Sequence, residues 1–341
     1  MQNIYVIGCG GIGCYILERL PMVISSLTLD VMTRGDLAYE KLGEKPLPQL
    51  VDRLVLIDGD RFNLRNAVRQ RSGAGDKVVQ RMLAIKQQIA DYAKARDTTV
   101  AAAEALKKVA ASLEDPALRA LPEAVSLLNE TQTLSRRLLD EMNSDLIRTT
   151  ALQGMRIIGA RQYVRPDNIG RLIPLEQPTT VPNDDWLVVE CDRKTNNLPS
   201  LQTPVVFLCV DNKKTRYEVQ EHMARFDNCL VINGGNAKVS GHVLIYERRN
   251  GHALDPKMSE VYPDITPTAD KRPDEVECGA VASTHDQIAI TNSIIANFML
   301  AMYVKWVREG LGSVAGNGKR YNEVLIDIDK ITLMRLSHPV V

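Results

Sequence analysis

Ile4-Tyr5-Val6-Ile7, then Gly8-Cys9-Gly10-Gly11-Ile12-Gly13, then the mostly apolar run from Cys14 to Leu20, is the stretch that decides the fold. The first four residues read as a short buried strand, the glycines as a tight turn, and the rest as a helix. Glycines let the backbone approach a phosphate, and a helix N-terminus offers free N–H groups and the positive end of its dipole. The unit therefore predicts a nucleotide-binding, Rossmann-like half. Alone it does not separate one nucleotide from another, and its commonest owner is an NAD or FAD enzyme.

Outward from this unit, strands and helices alternate. Leu54–Ile57 reads as a second strand ending at Asp58, after a less regular stretch over 22–52 that holds Pro46 and Pro48. Val78, Met82, Ile85, Ile89 and Tyr92 mark a helix opening at Lys77. Residues 93–150 are rich in Ala, Leu and charge, with breaks at Pro116 and Pro122, and predict two or three helices forming a helical insertion. Arg156–Val164 returns as a strand. Residues 165–204 carry prolines from Pro166 to Pro204 and read as mostly loop, with a short strand at Trp186–Glu190. Pro204–Val210 is a buried strand ending at Asp211, followed by a helix to about Arg225 and strands at Cys229–Asn233 and Val243–Tyr246. A Pro-rich loop over 250–284, a helix from about His285 to Arg308 and a closing hairpin (Glu323–Ile328, Ile331–Leu336) complete the chain. This pattern predicts an α/β, doubly wound sheet, parallel at first. The expected divisions are 1–92, 93–150 and 151–341.

Composition narrows the function. The 341 residues hold 42 Lys+Arg and 42 Asp+Glu, and a zero net charge argues against a nucleic-acid partner. No export signal is visible, and the apolar run Ile288–Val304 is interrupted by Thr291, Asn292, Ser293 and Asn297, so it reads as a buried helix and not a membrane span. The six cysteines form no C-x-x-C pair, which gives a zinc site no support and fits a reduced, cytoplasmic protein.

Three further groups carry chemistry. Asp58-Gly59-Asp60 ends the second strand, where an acid suits ribose hydroxyls, and Asn66 and Arg69-Gln70 follow shortly. A cation eleven residues after the acid suits a triphosphate, although a lone Arg69 also reads as a solvated surface charge. Asp211-Asn212-x-x-x-Arg216 ends a buried strand, where ligands bind in open α/β sheets. Its carboxylate fits either Mg²⁺ on nucleotide phosphates or the cap of the next helix. Cys278, late in the Pro-rich loop, is either an accessible nucleophile or a buried structural thiol. His285, seven residues on, either assists it or is a polar residue of the helix's first turn.

In order, these motifs resemble the ThiF/MoeB and ubiquitin-activating enzyme superfamily, which shows G-x-G-G-x-G, then D-x-D with N-x-x-R-Q, then a strand ending D-N-x-x-x-R. The resemblance covers 1–90 and 203–308. It implies a Rossmann-like adenylation domain with a crossover loop over 250–284. It also implies that ATP and Mg²⁺ are held by Gly8, Gly10, Gly11, Gly13, Asp58, Asp60, Asn66, Arg69, Gln70, Lys77, Asp211 and Asn212. Asp58 would bind ribose, Asn66, Arg69 and Lys77 phosphates, and Asp211 the metal. The implied reaction is adenylation of the C-terminal carboxylate of a ubiquitin-like protein ending in glycine, then thioester transfer to Cys278. The implied partners are a conjugating enzyme and a second copy as homodimer. The chain departs from the family in its long 22–52 stretch, the insertion, the missing zinc cysteines and the lack of N-terminal helices before the first strand. Two rivals remain: a sulfur-carrier adenylyltransferase of thiamine or molybdopterin type, and an NAD-dependent oxidoreductase.

Overall fold

The structure is a computed structural model that describes residues 2–34, 50–61, 76–116, 121–153, 155–175, 186–189, 203–237, 239–270, 275, 289–309 and 320–340. Among these, the strands are β1 (Gln2–Ile7), β2 (Val51–Ile57), β3 (Arg156–Ala160), β4 (Trp186–Val189), β5 (Thr203–Leu208), β6 (Cys229–Asn236), β7 (Ser240–Arg249), β8 (His252–Ala253), β9 (Glu323–Asp327) and β10 (Thr332–Leu336). The helices are α1 (Gly11–Arg34), α2 (Lys77–Leu113), α3 (Pro122–Gln153), α4 (Ile169–Leu172), α5 (Lys213–Met223), α6 (Met258–Val261) and α7 (Ala289–Glu309).

The chain folds as two compact units. The first, Met1–Val23, Leu50–Ile85 and Met155–Val341, contains one sheet in the order β10-β9-β7-β6-β5-β1-β2-β3-β4, with β8 paired to β7. The five strands β6, β5, β1, β2 and β3 are mutually parallel, and antiparallel strands extend both sides of this block. Helices cover both faces, which makes the sheet doubly wound. On one face Val219 and Met223 of α5 join Tyr5, Val55, Val206 and Leu208 in the core. On the other, Tyr303 of α7 meets Phe207 edge-on, with ring centroids 5.7 Å apart. Burial on both faces explains why the central strands read as continuous apolar runs.

One helix outruns its sequence reading. The apolar run was expected to end near Leu20, yet α1 continues through Pro21 to Arg34. Leu17, Leu20, Ile24 and Leu27 are each at most 1% exposed at helical spacing. That buried stripe outweighs the single backbone donor that Pro21 removes. Gly11–Asp30 is long and apolar enough by composition to cross a membrane, but most of it is buried in the protein, as a core helix would be.

The second unit, Ile24–Gln49 and Lys86–Gly154, is helical in its described residues. α2 passes residue 93 without a break, and α3 follows from Pro122. Ala103, Leu128, Ala151 and Leu152 are buried here, whereas Val109, Leu121, Val125, Leu127 and Leu134 are exposed.

Candidate nucleotide site

The connection from β1 leads to β2 on one side of it, while β5 lies on the other, so β1 sits where the strand order reverses. In open α/β sheets ligands bind outside the carboxyl ends of strands at such a point. Here the ladder runs one residue past the strands: Gly8 N donates to Ile57 O at 2.9 Å and Cys209 N to Ile7 O at 2.8 Å. The glycines are required by close approach. Gly8 has φ +88, and a Cβ there would lie 2.9 Å from Cys209 O. At Gly13 a Cβ would lie 1.8 Å from Gly8 O, so the first turn of α1 can pack on the loop only without a side chain.

A pocket of about 160 Å³ opens above this turn. Its walls include Gly8, Gly10, Gly11, Asp58, Asp60, Lys77, Asp211 and Asn212, which brings together eight of the residues marked from sequence. Gly13 supports the turn from beneath. Asn66, Arg69, Gln70, Cys278 and His285 lie outside the described residues.

The acids at the end of β2 are already organised. Asp58 accepts hydrogen bonds from Cys9 N (2.6 Å) on Oδ2 and from Asp60 N (2.8 Å) on Oδ1. Burial pushes its carboxyl up to about 6, against the pull of Lys77 and of these donors. Lys77, 4% exposed at the start of α2, sends its ammonium to Asp60 Oδ2 at 2.9 Å. Burial opposes that charge, but Asp58 and Asp60 together hold it above the ordinary lysine value. Tyr163 donates its hydroxyl to Asp60 Oδ1 and lays its ring on Gly59, where a Cβ would lie 2.5 Å from it.

Asp211 and Asn212 divide the tasks that sequence left open. Asn212 is the N-cap of α5: its backbone is extended and its side chain accepts from Thr215 N at 2.8 Å. Asp211 is exposed on the pocket rim. Arg216 is buried and donates to Val210 O (3.0 and 2.6 Å) and Gly234 O (3.1 Å), tying the ends of β5 and β6 together. Burial lowers its pKa, and Asp211 is the foremost charge opposing that shift.

No family model matches the chain, and no curated protein matches it in sequence. Among solved structures, selenomethionine PaaA is similar at 13% identity and TM-score 0.44, over 99% of this chain and 73% of that one. E. coli MccB with ATP is similar at 12% identity and TM-score 0.47, over all of this chain and 65% of MccB. The microcin C7 biosynthetic enzyme MccB in complex with N-formylated MccA gives 12% identity and TM-score 0.46, over 98% of this chain and 64% of that one. The chain thus spans slightly less than two thirds of MccB. At this distance the likeness concerns chain path alone.

A second cavity of about 490 Å³ shares Asp211 and Asn236 with the pocket above the glycine turn. It lies over the antiparallel strands, where His242, Leu325 and Met334 occupy one cross-strand row. His242 stacks on Tyr262 at 5.2 Å, and burial brings its pKa down to about 4, so the imidazole is neutral at pH 7. Sequence reading missed Tyr163, Asn236, His242 and Tyr262. Single polar or aromatic residues near strand ends carry no periodic signal, and only the sheet order shows them converging.

Proposed function

We propose that this chain is an ATP-dependent adenylating enzyme acting on the C-terminal carboxylate of a ubiquitin-like protein that ends in glycine. The observation that carries the reading is the company Lys77 keeps: a buried cation shares one pocket with a glycine turn, Asp58 and the exposed Asp211. That set suits a polyphosphate, whereas a nicotinamide cofactor would use the turn and Asp58 and leave Lys77 and Asp211 idle. The adjoining cavity at Asp211 and Asn236 offers room for the acyl substrate.

In the proposed step a carboxylate oxygen attacks the α-phosphorus of ATP, the bond to pyrophosphate breaks, and an acyl-adenylate forms. Lys77, with Asn66 and Arg69 by family resemblance, neutralises and orients the phosphates. Asp58 accepts from the ribose. Mg²⁺ needs only one or two carboxylates besides phosphate oxygens and water, so the exposed Asp211 fits it. Bound there, the ion would offset charge on the departing pyrophosphate. The test is calorimetry and partner-dependent ATP–pyrophosphate exchange. MgATP should bind and exchange; tighter binding of NAD would return the site to the oxidoreductase reading.

We also propose that the Cys278 thiolate attacks the acyl-adenylate carbonyl, so that the acyl–phosphate bond breaks, AMP leaves and a thioester forms for onward delivery to a conjugating enzyme, with the chain working as a homodimer. Among the described residues, Cys9, Cys14 and Cys229 are buried, and burial raises the thiol pKa of Cys9, of Cys209 and, to about 12, of Cys229. Such thiols are poor nucleophiles at neutral pH. Cys278→Ala should still form adenylate but lose a reductant-sensitive adduct with the partner. Survival of that adduct would clear Cys278, and its absence from wild type while adenylate accumulates would favour sulfur-carrier chemistry.

A further inference from the structure

Arg161, Arg165 and Arg171 line a third cavity, of about 360 Å³, at the carboxyl end of β3, with Asp167 as the only carboxylate on its wall among the described residues. The loop bearing them is fixed from inside. Val164, Ile169, Leu172 and Ile173 anchor it in the core. Asn168 closes its turn, accepting from Arg165 N and donating to Tyr163 O, each at 2.9 Å. Arg171 donates to the neutral amide oxygen of Gln162 at 2.8 Å, and Arg161 comes no nearer than 3.8 Å to Asp76. Among the described residues, both guanidinium groups therefore retain donors and charge for an external anion.

Position gives the cluster its meaning. Gly59, Gln162 and Tyr163 line both this cavity and the nucleotide pocket. Along the sheet the glycine turn follows β1, Asp58 follows β2 and the arginines follow β3, on neighbouring strands in that order. On the reading that the turn holds phosphates and Asp58 the ribose, the arginines lie one strand beyond the ribose, away from the triphosphate.

We propose that this cavity is an anion site for a phosphate group distinct from the triphosphate, abutting the ribose end of the bound nucleotide. Planar guanidinium forks match phosphate oxygens in pairs. The phosphate has two possible sources: the 2′ or 3′ position of the nucleotide's own ribose, or a free ion beside it.

Calorimetry on the full chain separates them, with adenosine 2′,5′- and 3′,5′-bisphosphate, AMP and inorganic phosphate as probes. A bisphosphate should bind about tenfold or more tighter than AMP, the gain expected of one charge-assisted contact pair. Arg161→Gln with Arg171→Gln should erase that advantage and leave AMP unchanged, while the double Lys variant keeps part of it. If free phosphate binds with the same dependence on the two arginines and neither bisphosphate gains, the anion site stands and its ligand is the free ion. If no probe senses the substitutions in variants that melt like wild type, the arginines are a solvated face and the proposal fails. Failure of AMP and ATP to bind would count against the nucleotide reading next door, which the phosphate arm does not depend on.

Discussion

Asp211→Ala is expected to lower partner-dependent ATP–pyrophosphate exchange by about two to three orders of magnitude and to leave the fold intact. The loss corresponds to roughly 3–4 kcal/mol of transition-state stabilisation, the scale of removing a group that holds charge-neutralising metal on a polyphosphate. The fold should survive because Asp211 does none of the local structural work. Asn212 caps α5, and Arg216 holds the strand ends through backbone carbonyls. What Asp211 supplies locally is a favourable charge near buried Arg216, and an exposed carboxylate contributes little through such a term. The measurement is radiolabelled pyrophosphate exchange beside a thermal melt. Near wild-type exchange would remove Asp211 from the mechanism, and a collapsed melt would show that its charge is structural.

The parts of this architecture legible in sequence are those where one local pattern has one physical solution. β1, β2 and β5 are buried on both faces, so each shows as an unbroken apolar run ending at a polar or glycine residue. Gly8 and Gly13 show as glycines because a Cβ at either would collide with backbone. The full length of α1 was not legible, because the apolar run reads only to Leu20 and nothing local reveals the burial that carries the helix past Pro21. Asp211-Asn212 could not be apportioned, since both residue types cap helices and only the structure shows which side chain reaches Thr215 N. Lys77 was marked from sequence as a phosphate ligand by the family resemblance, and the structure places it in the pocket beside the glycine turn. Its partner there was not legible: Asp60 is seventeen residues from Lys77, and Tyr163, on the same carboxylate, is a hundred and three from Asp60. Contacts of that kind depend on β2 and β3 being neighbours, which is a property of the sheet and not of either segment.

Lys77→Met should destabilise the protein by about 2–3 kcal/mol at pH 7 and abolish measurable ATP binding. The lysine is almost fully buried beside two carboxylates, and breaking such a pair leaves uncompensated charge in a poorly solvated place. The cost stays below the upper end of the usual range because the Asp60 carboxylate is 39% exposed and partly screened by water. Asp58 sets the pH dependence. The folded Lys77 pKa is raised, so its contribution is fully present below the unfolded lysine value and is lost only as pH climbs through the folded one; at pH 7 it is intact. Asp58, with its carboxyl near 6, is ionised at pH 7 but takes up a proton at pH 5, where the missing lysine leaves less charge unpaired. The gap between Lys77→Met and wild type in urea unfolding should therefore narrow from pH 7 to pH 5. An equal gap at both values would show that the loss comes from packing of the lysine stem. No gap at either would mean that Asp58 and Asp60 find other solvation, and Lys77 would then be free to serve the nucleotide without holding the fold.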